Sequence, residues 1–233
     1  MFTQDDTLSF PKLKQVNLES GRVYVVESGT DVGEVLPSIT RVLGFKEKPH
    51  LEAWKKRVGA EQATRISSLA TTRGSELHRL CEIYLSNREL PKVWPHVGEL
   101  WHRLKPWLDQ HVTRVYGQEQ DLCSFALGVA GRTDLICDVD GVFSIVDFKQ
   151  ANKPKSEKYI GDYFLQGSFY ACAVYEHTHQ LPKQIVFPVT SPEELQLFVS
   201  NPNRHLGELQ TRIGEFYAAY DKKPVDNLVP AVV

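Results

Sequence analysis

The fold is decided by the stretch Gly128-Val-Ala-Gly-Arg-Thr-Asp134-Leu-Ile-Cys-Asp-Val-Asp-Gly141-Val-Phe-Ser-Ile-Val-Asp147-Phe-Lys149. Two apolar-rich runs, 132–139 and 142–149, flank the dipeptide Asp140-Gly141. An Asp-Gly pair between alternating runs is a strong short-range signal for a β-hairpin, because its residues accept the backbone angles of a two-residue turn. We therefore expect an antiparallel hairpin with its turn at 140–141.

Counting outward from this turn places two acidic side chains opposite each other. The register pairs Ile136 with Ile145 and then Asp134 with Asp147. Opposed β-carbons in a sheet are about 4.5–5.5 Å apart, and like charges at that separation destabilise the pairing. A divalent cation between the carboxylates would compensate for the repulsion.

A lysine completes the polar patch at the end of the hairpin. Side chains alternate along a strand, so Asp147 and Lys149 point the same way, with the backbone carbonyl of Phe148 between them. Oxygen ligands of this kind suit Mg²⁺ or Mn²⁺, and a nearby lysine can stabilise the negative charge that develops in phosphodiester hydrolysis. The residues leave two interpretations open: a metal-dependent nuclease site, or a solvent-facing hairpin whose charges serve only solubility.

The composition is that of a soluble globular protein. The chain has 233 residues, of which 24% are charged and 42% hydrophobic, and this length favours a single domain. It has no apolar run long enough to cross a membrane, and the first residues are acidic where a signal peptide would be basic. These features predict an intracellular protein without a membrane partner.

Charge and cysteine content narrow the function classes. A formal net charge of −2 does not exclude a nucleic-acid enzyme, because such enzymes often confine positive charge to one groove. The four cysteines are dispersed, which argues against a zinc ribbon and a disulfide framework and predicts reduced thiols in the core. No phosphate loop of the Gly-x-x-x-x-Gly-Lys type is present, so we expect no nucleotide-driven motor.

Basic residues surround a tryptophan in the first third of the chain. The residues that cluster with Trp54 are Lys46, Lys48, Lys55, Lys56 and Arg57. Bases of a single strand stack on aromatic rings while cations follow the phosphates, so this segment could bind single-stranded DNA. A solvated helix face with a core tryptophan explains the same residues.

Residues 73–85 have the pattern of an amphipathic helix. His78 and Glu82 are four residues apart and share one face of that helix. Such a pair is more often a surface contact than a set of metal ligands, and the His-Glu-x-x-His motif of zinc proteases is absent.

The remaining pattern predicts a mixture of strands and helices. A strand at 118–127 would bring Glu119 near the acid pair, and a helix at 162–176 would carry Gln166 and Tyr170 on one face. The loop Lys153-Pro-Lys155 is basic and suits phosphate contact. Further strands are expected at 22–27 and 184–190, and further helices at 36–43, at 94–116 with a kink or break at Pro106, from Ser191-Pro-Glu-Glu onward, and at 205–220, before a loose tail beyond Lys223.

Taken in chain order, these motifs resemble the RecB-like branch of the PD-(D/E)XK nuclease superfamily, in particular the phage exonucleases and the mitochondrial genome maintenance exonuclease. The resemblance spans about residues 36–175, counted on the printed sequence. The motifs that carry it are Arg73-Gly-Ser, His78, Glu82, Glu119, Gly131-Arg-Thr-Asp134, Asp147-Phe-Lys149 and Gln166-x-x-x-Tyr170. The acidic motif alone is a weakly specific signal for the family, but its combination with the upstream histidine-bearing helix and the downstream Gln-x-x-x-Tyr is a strong signal.

The resemblance implies an α/β fold with a restriction-endonuclease-like mixed sheet flanked by helices and an N-terminal helical segment. It predicts one nuclease domain over 1–233, with a core at about 73–190, an N-terminal strand and helical segment at 20–72 and a C-terminal helix at 205–221.

The resemblance also implies roles for individual residues. Lys149 would organise the attacking water, and Glu119 matches the upstream acid of the family. The expected metal ligands are Asp134, Asp147, His78 and the backbone carbonyl of Phe148. The expected substrate-binding residues are Gln166, Tyr170, Arg73, Lys155 and Trp54.

Two departures from the family qualify this assignment. Some relatives bind an iron–sulfur cluster through four cysteines, and the spacing here differs, so we expect no cluster. Thr133, rather than proline, precedes Asp134, but this branch commonly has Gly-x-x-Asp there.

The resulting hypothesis is a Mg²⁺-dependent deoxyribonuclease that also accepts Mn²⁺ and degrades single-stranded DNA from a free end. It would act in the cytoplasm of a bacterial or phage-infected cell, and its oligomeric state stays open. The alternatives are a structure-specific endonuclease, a catalytically silent DNA-binding subunit and a structural Ca²⁺ site. The silent subunit is disfavoured because Asp134, Asp147 and Lys149 occur together, and Lys149 has no reason to lie beside a structural Ca²⁺.

Overall fold

A computed structural model describes residues 1–29, 31–46 and 49–220. The strands of this part of the chain are β1 Thr3–Gln4, β2 Leu13–Leu18, β3 Gly21–Val26, β4 Val35–Pro37, β5 Val112–Ser124, β6 Val129–Val139, β7 Val142–Val146, β8 Lys149–Gln150, β9 Gln184–Thr190 and β10 Leu195–Ser200. The helices are α1 Ile39–Gly44, α2 Pro49–Val58, α3 Ala60–Leu85, α4 Pro95–His111, α5 Gly161–Thr178 and α6 Leu206–Ala219.

The hairpin at the centre of the sequence forms as predicted. β6 and β7 pair in the expected register, with Ile136 opposite Ile145, and the φ angles of Asp140 and Gly141 are 51° and 76°. Positive φ at both central residues is the signature of the type I′ turn, whose twist matches that of the flanking strands.

The outermost expected pair does not extend this ladder. The last paired residues are Leu135 and Val146, because the next backbone N–H groups bond elsewhere. The N–H of Asp147 donates to the carbonyl of Val186 at 3.1 Å, and the N–H of Phe148 donates to Oδ2 of Asp134 at 2.6 Å. The predicted strand 142–149 is therefore divided into β7 and β8, and β8 pairs with β9.

A seven-strand mixed sheet forms the centre of the molecule. Its order is β1-β5-β6-β7-β9-β10, with β8 beside β9, and the pairs β1–β5, β7–β9 and β8–β9 are parallel. The predicted α/β class with a restriction-endonuclease-like sheet is confirmed. The sheet also takes in β1 and β10, which lie outside the expected core at 73–190. A smaller antiparallel sheet, β2-β3-β4, belongs to the N-terminal segment.

Helices cover both faces of the large sheet. Leu135 faces a core built with α3 and α4, whereas the next residue, Ile136, faces a core built with α1, α5 and α6. Successive side chains of a strand point to opposite faces, so a strand buried on both sides consists of a continuous apolar run. This explains why the stretch 135–139 alternates so little between apolar and polar residues.

Two helices differ from the sequence prediction in where they begin or end. The helix expected at 36–43 begins at Ile39, because Pro37 ends β4 and the hydroxyl of Ser38 caps α1 by accepting the N–H of Arg41 at 3.1 Å. The helix expected at 94–116 ends at His111, and Val112 starts β5. Pro106 lies inside α4 and does not end it.

The helix expected from Ser191-Pro-Glu-Glu does not form. Ser191 accepts the N–H groups of Glu193 and Glu194, as a helix cap would, but the chain then reverses. Leu195 pairs with Thr190, and β10 extends the sheet at its edge. The predictions for 162–176, 184–190 and 205–220 are confirmed by α5, β9 and α6, and 73–85 is the second half of the longer α3.

Three of the four cysteines are buried and Cys172 is half-buried, and all four are free thiols, as expected for core positions. Among the described helices, none combines the length and apolar character that crossing a membrane requires. Lys48 and the tail beyond Lys223 lie outside the described residues.

Candidate active site

Three potential metal ligands from distant parts of the chain meet at one point. They are His78 on α3, Glu119 on β5 and Asp134 on β6, and their ligand atoms all lie within 4.8 Å of one another. Antiparallel pairing explains the acidic part of this group, since the neighbours of Glu119 pair with the neighbours of Asp134 across β5 and β6. The long helix α3 then brings the imidazole over the two carboxylates.

His78 connects this cluster to the strand that carries the lysine. Its Nε2 lies 2.9 Å from the carbonyl oxygen of Phe148, and its Nδ1 lies 3.3 Å from Oδ1 of Asp134 and 3.9 Å from Oε1 of Glu119. Burial lowers the pKa of His78, but the charges of Asp134 and Asp147 and the hydrogen bond to Asp134 outweigh this effect and raise the pKa to about 9. The raised pKa of His78 therefore indicates an excess of negative charge at the site.

Glu119 has an unusual backbone. Its φ angle is 46°, in the left-handed region that residues other than glycine seldom adopt. Such strain costs about 1 kcal/mol or more and tends to occur where a side chain is aimed at a functional site. Burial and the charge of Asp134 raise the pKa of Glu119, while His78 opposes the shift. The strained backbone thus supports a carboxylate in an unfavourable electrostatic position.

Asp147 and Lys149 form a buried ion pair beside this cluster. Burial and the charge of Asp134 raise the pKa of Asp147, whereas the pKa of Lys149 is raised against its burial by the two carboxylates of Asp147 and Asp134. Nζ of Lys149 also donates to Oε1 of Gln166 at 3.1 Å. The ammonium is therefore held in one position by two acceptors.

Gln166 and Tyr170 on α5 support this part of the site. The amide of Gln166 donates to the Tyr170 hydroxyl at 2.9 Å and lies 3.4 Å from Oδ1 of Asp147. The Tyr170 hydroxyl donates to the carbonyl of Arg132 at 2.6 Å. Tyr170 is only 1% exposed, so its position suits steadying β6 better than touching a substrate.

A glycine allows this close packing of α5 on β6. A β-carbon at Gly131 would lie 2.9 Å from a methyl carbon of Ile39 and 3.0 Å from the ring of Tyr170. Contacts that short force neighbours to shift. The Gly131-Arg-Thr-Asp134 motif therefore has a packing reason for its glycine and a chemical reason for its aspartate.

The other predicted site residues lie around this centre. Arg73 on α3 donates to Gln150 at 3.1 Å and also to Asn152, so it fixes the segment that follows Lys149. The backbone of Lys155 is pinned to β10 through Gln196. Trp54 is half-buried on α2 and has no described contact with the cluster. The surface pair expected between His78 and Glu82 does not form, because Glu82 pairs with Arg88 at 3.3 Å.

Sequence reasoning missed two arginines next to the cluster. A cavity of about 540 Å³ opens beside His78 and Glu119, and Arg79 and Arg132 are among the residues that line it. Each is held by a carboxylate: Arg79 by Glu76 at 2.9 Å, and Arg132 by Asp121 in two bonds of 2.8 and 3.0 Å. No spacing rule links these residues, since they come from a helix and a strand that are far apart in the chain.

The chemistry of the donor set fits a divalent cation. The ligand atoms of two half-buried carboxylates and an imidazole lie within 4.8 Å of one another, and the buried carboxylate of Asp147 is close enough to be affected by the charge of Asp134. Carboxylate oxygens are the preferred ligands of Mg²⁺, and Mn²⁺ accepts imidazole as well. A cation would relieve the repulsion that raises the pKa of Glu119.

A comparison with known protein families agrees with this chemistry. A sequence model of the PD-(D/E)XK nuclease superfamily matches residues 50–221, which is well over half of the chain. Twenty chains among solved structures match, and one is titled "Crystal structure of SSO0001", with a TM-score of 0.44 and 11% identity over 80% of this chain and 76% of that chain. No curated protein matches.

Proposed function

The chain belongs to the PD-(D/E)XK nuclease superfamily, and we propose that it is a Mg²⁺-dependent exonuclease of the RecB-like branch that degrades single-stranded DNA from a free end. The observation that carries this proposal is the meeting of His78, Glu119 and Asp134 next to the Asp147–Lys149 pair. A merely soluble hairpin would not bury these charges together, because isolated buried charges are costly.

The metal would be held by the acidic cluster. His78, Glu119 and Asp134 are the proposed ligands, together with Asp147 and the carbonyl of Phe148. When bound, a divalent cation stabilises charge on the phosphate and favours ionisation of water, and Mn²⁺ should substitute for Mg²⁺. The hydrogen bond from the Phe148 N–H orients the Asp134 carboxylate for this task.

Lys149 is the proposed catalytic cation. Asp147 and Gln166 hold its ammonium group, and its raised pKa keeps it charged at neutral pH. A fixed positive charge in a site of low dielectric stabilises the negative charge that develops during phosphodiester cleavage. By position, Gln166 and Tyr170 serve the site by holding this lysine and strand β6.

The substrate strand would approach along the helical pair α2–α3. A groove of about 920 Å³ lies between these helices, lined by Lys55 and Lys56 on one side and by Thr64, Ser67 and Thr71 on the other. Lysine and hydroxyl side chains are common phosphate contacts. The same helix α3 continues to Arg73 and His78, so a strand in the groove is directed towards the cluster. Trp54 and Lys155 are further proposed contacts.

One digestion series tests this function. Linear single-stranded, linear duplex and circular single-stranded DNA are each incubated with the protein in Mg²⁺ or in EDTA. The proposal expects loss of the linear single strand in Mg²⁺ only. Equal cutting of the circle would identify an endonuclease, and binding of DNA without cutting in Mg²⁺ would identify a silent DNA-binding subunit.

A further inference from the structure

A second cavity is lined by an arginine, Arg41, with two buried guanidinium nitrogens that lack hydrogen-bond partners among the described residues. This cavity of about 640 Å³ lies between the turn joining β2 to β3, helix α1 and the end of α6. Nε and Nη1 of Arg41 are inaccessible to solvent, and within the described residues they have no hydrogen-bond partner. Buried donors on a charged group are costly to leave unpaired, so a native structure retains them where they have a task.

Aromatic rings hold this guanidinium in place. Its central carbon lies 5.7 Å from the ring centre of Phe216 and 5.4 Å from that of Tyr220, both on α6. Gly21 makes room for the side chain, since a β-carbon there would lie 2.9 Å from Cδ of Arg41. The rings orient the planar group without accepting hydrogen bonds from it.

The cavity has the composition of an anion site. Arg22 is a second cation on its wall, and the hydroxyls of Ser20 and Thr40 add donors. No acidic residue is among the lining residues described for this cavity. Two arginines with hydroxyl groups and no competing carboxylate match the tetrahedral oxygens of a phosphate.

Two arginines near the Tyr24 hydroxyl, Arg22 and Arg132, lie on the walls of this cavity and of the cavity beside the candidate active site. Burial and Asp121 raise the pKa of the Tyr24 hydroxyl, whereas the nearby charges of Arg22 and Arg132 oppose the shift. Arg22 lines the second cavity, and Arg132 lines the cavity beside His78 and Glu119. One arginine from the wall of each cavity therefore lies near the Tyr24 hydroxyl.

We propose that Arg41, with Arg22 beside it, binds a phosphate group of the DNA strand whose reacting end lies at the His78–Glu119–Asp134 cluster. This inference rests on the proposed function for the identity of the strand. Arg41 is a binding residue at a distance from the reacting atoms, so it contributes to affinity and leaves the chemical step unchanged.

Binding of labelled oligothymidine to the full chain in EDTA tests the site. The oligonucleotide has about 20 nucleotides, longer than a typical single-strand binding site. Arg41→Met should weaken binding about tenfold and reduce the slope of log affinity against log salt by about 0.7, the value for one lost phosphate contact on a single strand. Arg204→Met is the matched control, because Arg204 lies in the short 3-10 turn just before α6, and α6 extends about 20 Å from there to Tyr220. It should change neither quantity.

Thermal unfolding separates binding from structure. Without DNA, Arg41→Met should melt at the wild-type temperature or above it, because an unpaired buried charge is removed. Arg22 is exposed, so Arg22→Met keeps the test open if the first variant does not fold, and we expect it to weaken binding about threefold. Wild-type affinity and salt slope in both variants would overturn the proposal.

Two further measurements distinguish failure of the phosphate-site proposal from failure of the proposed function. Cleavage of linear DNA by the wild type in Mg²⁺ tests the proposed function alone, and the binding assay in EDTA does not depend on it. If Arg41→Met loses affinity for DNA but the wild type does not cleave it, the proposed phosphate-binding site stands and the proposed exonuclease function is rejected. Inorganic phosphate is the second arm: if it raises the melting temperature as much as the oligonucleotide at equal concentration, the site takes a small free anion and the proposal is overturned.

Discussion

At the scale of single residues, Glu119 is a group whose charge a bound metal would stabilise. Its pKa is raised by burial and by Asp134, so in the metal-free protein its charge opposes folding above its ordinary pKa. We expect Glu119→Gln to melt at the wild-type temperature or higher in EDTA and to lose the stabilisation that Mg²⁺ gives the wild type. Glu61→Gln, an exposed residue at the start of α3 and outside the cluster, is the control and should respond to Mg²⁺ normally.

The same reasoning predicts which substitutions abolish cleavage. Asp134→Asn, Asp147→Asn and Lys149→Ala each remove a charge from the site, and the loss of one such group costs about 10²-fold or more in rate. Initial rates on linear single-stranded DNA in Mg²⁺ measure the effect, with circular dichroism to verify folding. Near-wild-type turnover by either asparagine variant would refute the assignment.

His78 predicts a pH dependence with a definite sign. Its pKa of about 9 lies above its ordinary value of 6.5, so its protonated form stabilises the metal-free fold fully below pH 6.5, and this contribution is lost as the pH rises through about 9. A metal ligand must be the neutral imidazole, so Mn²⁺ should bind more tightly as the pH rises over the same window. Isothermal titration between about pH 6.5 and 9 tests this, and His78→Asn should show a shallower dependence.

Single-residue chemistry was predictable only as far as local geometry reaches. Counting from the Asp140-Gly141 turn brought Asp134 and Asp147 to the same end of the hairpin, because hairpin register is a local property. It could not show that Phe148 donates its N–H to Asp134 and leaves the ladder. A histidine titration near its ordinary pKa follows from residue type alone, whereas the upward shift needs the distances to Asp134 and Asp147.

At the scale of elements, α5 supports β6, the strand that carries Asp134. Tyr170→Phe removes the buried bond to the carbonyl of Arg132 and should cost about 1–3 kcal/mol of stability. Because β6 then loses an anchor next to Asp134, we expect kcat to fall about tenfold with KM unchanged, which corresponds to about 1.4 kcal/mol.

Ser168→Ala is the matched control for this prediction. Its hydroxyl is also buried on α5, but it donates to the carbonyl of Pro202 at 2.9 Å, away from the site. A similar loss of stability with wild-type kcat is expected, measured by urea unfolding and steady-state kinetics. If both variants lose activity in proportion to stability, α5 has no specific role in positioning.

The prediction of helices failed where the same local sequence pattern is compatible with either a helix or another structure. Ser191 makes the hydrogen bonds of a helix cap, yet the same bonds close a turn, and pairing of Leu195 with Thr190 decides between them. Residues 112–116 continue the apolar pattern of α4, but β6 offers them a partner strand. In both cases a long-range pairing overrides the local preference, which a sequence pattern cannot express.

At the scale of the whole molecule, the chain has no excess of positive charge, but some of its basic residues line grooves and cavities. The chain has a net charge of −2, yet Lys55 and Lys56 line one groove, Arg79 and Arg132 line the cavity beside the cluster, and Arg41 lies in a third. Composition alone could not reveal this, because it follows from how α2, α3 and the small sheet are placed around the large one. Exposed lysines grouped in one groove, such as Lys55 and Lys56, can attract a polyanion in spite of the net charge.

The groove between α2 and α3 leads to a last prediction, about how a strand enters. Both lysines are exposed, and the bond of Lys55 to Glu52 at 2.8 Å is a surface ion pair that a phosphate can replace at little cost. Lys55→Gln/Lys56→Gln should therefore reduce the salt slope of single-strand binding by about 1.4, two contacts of about 0.7 each. Lys14→Gln/Lys183→Gln, which removes the same charge outside the groove, should leave the slope unchanged.

The same two double variants show whether the groove guides the DNA strand to the site or whether the lysines only raise the general attraction of the protein for DNA. If the groove guides a free end, the first variant should degrade linear single strands with a raised KM and an unchanged kcat, because the lysines bind the strand away from the reacting phosphate. An equal rise in KM for the control variant would mean that the lysines act only through the overall charge. In that case the path of the strand would have to be sought along the arginines of the other two cavities.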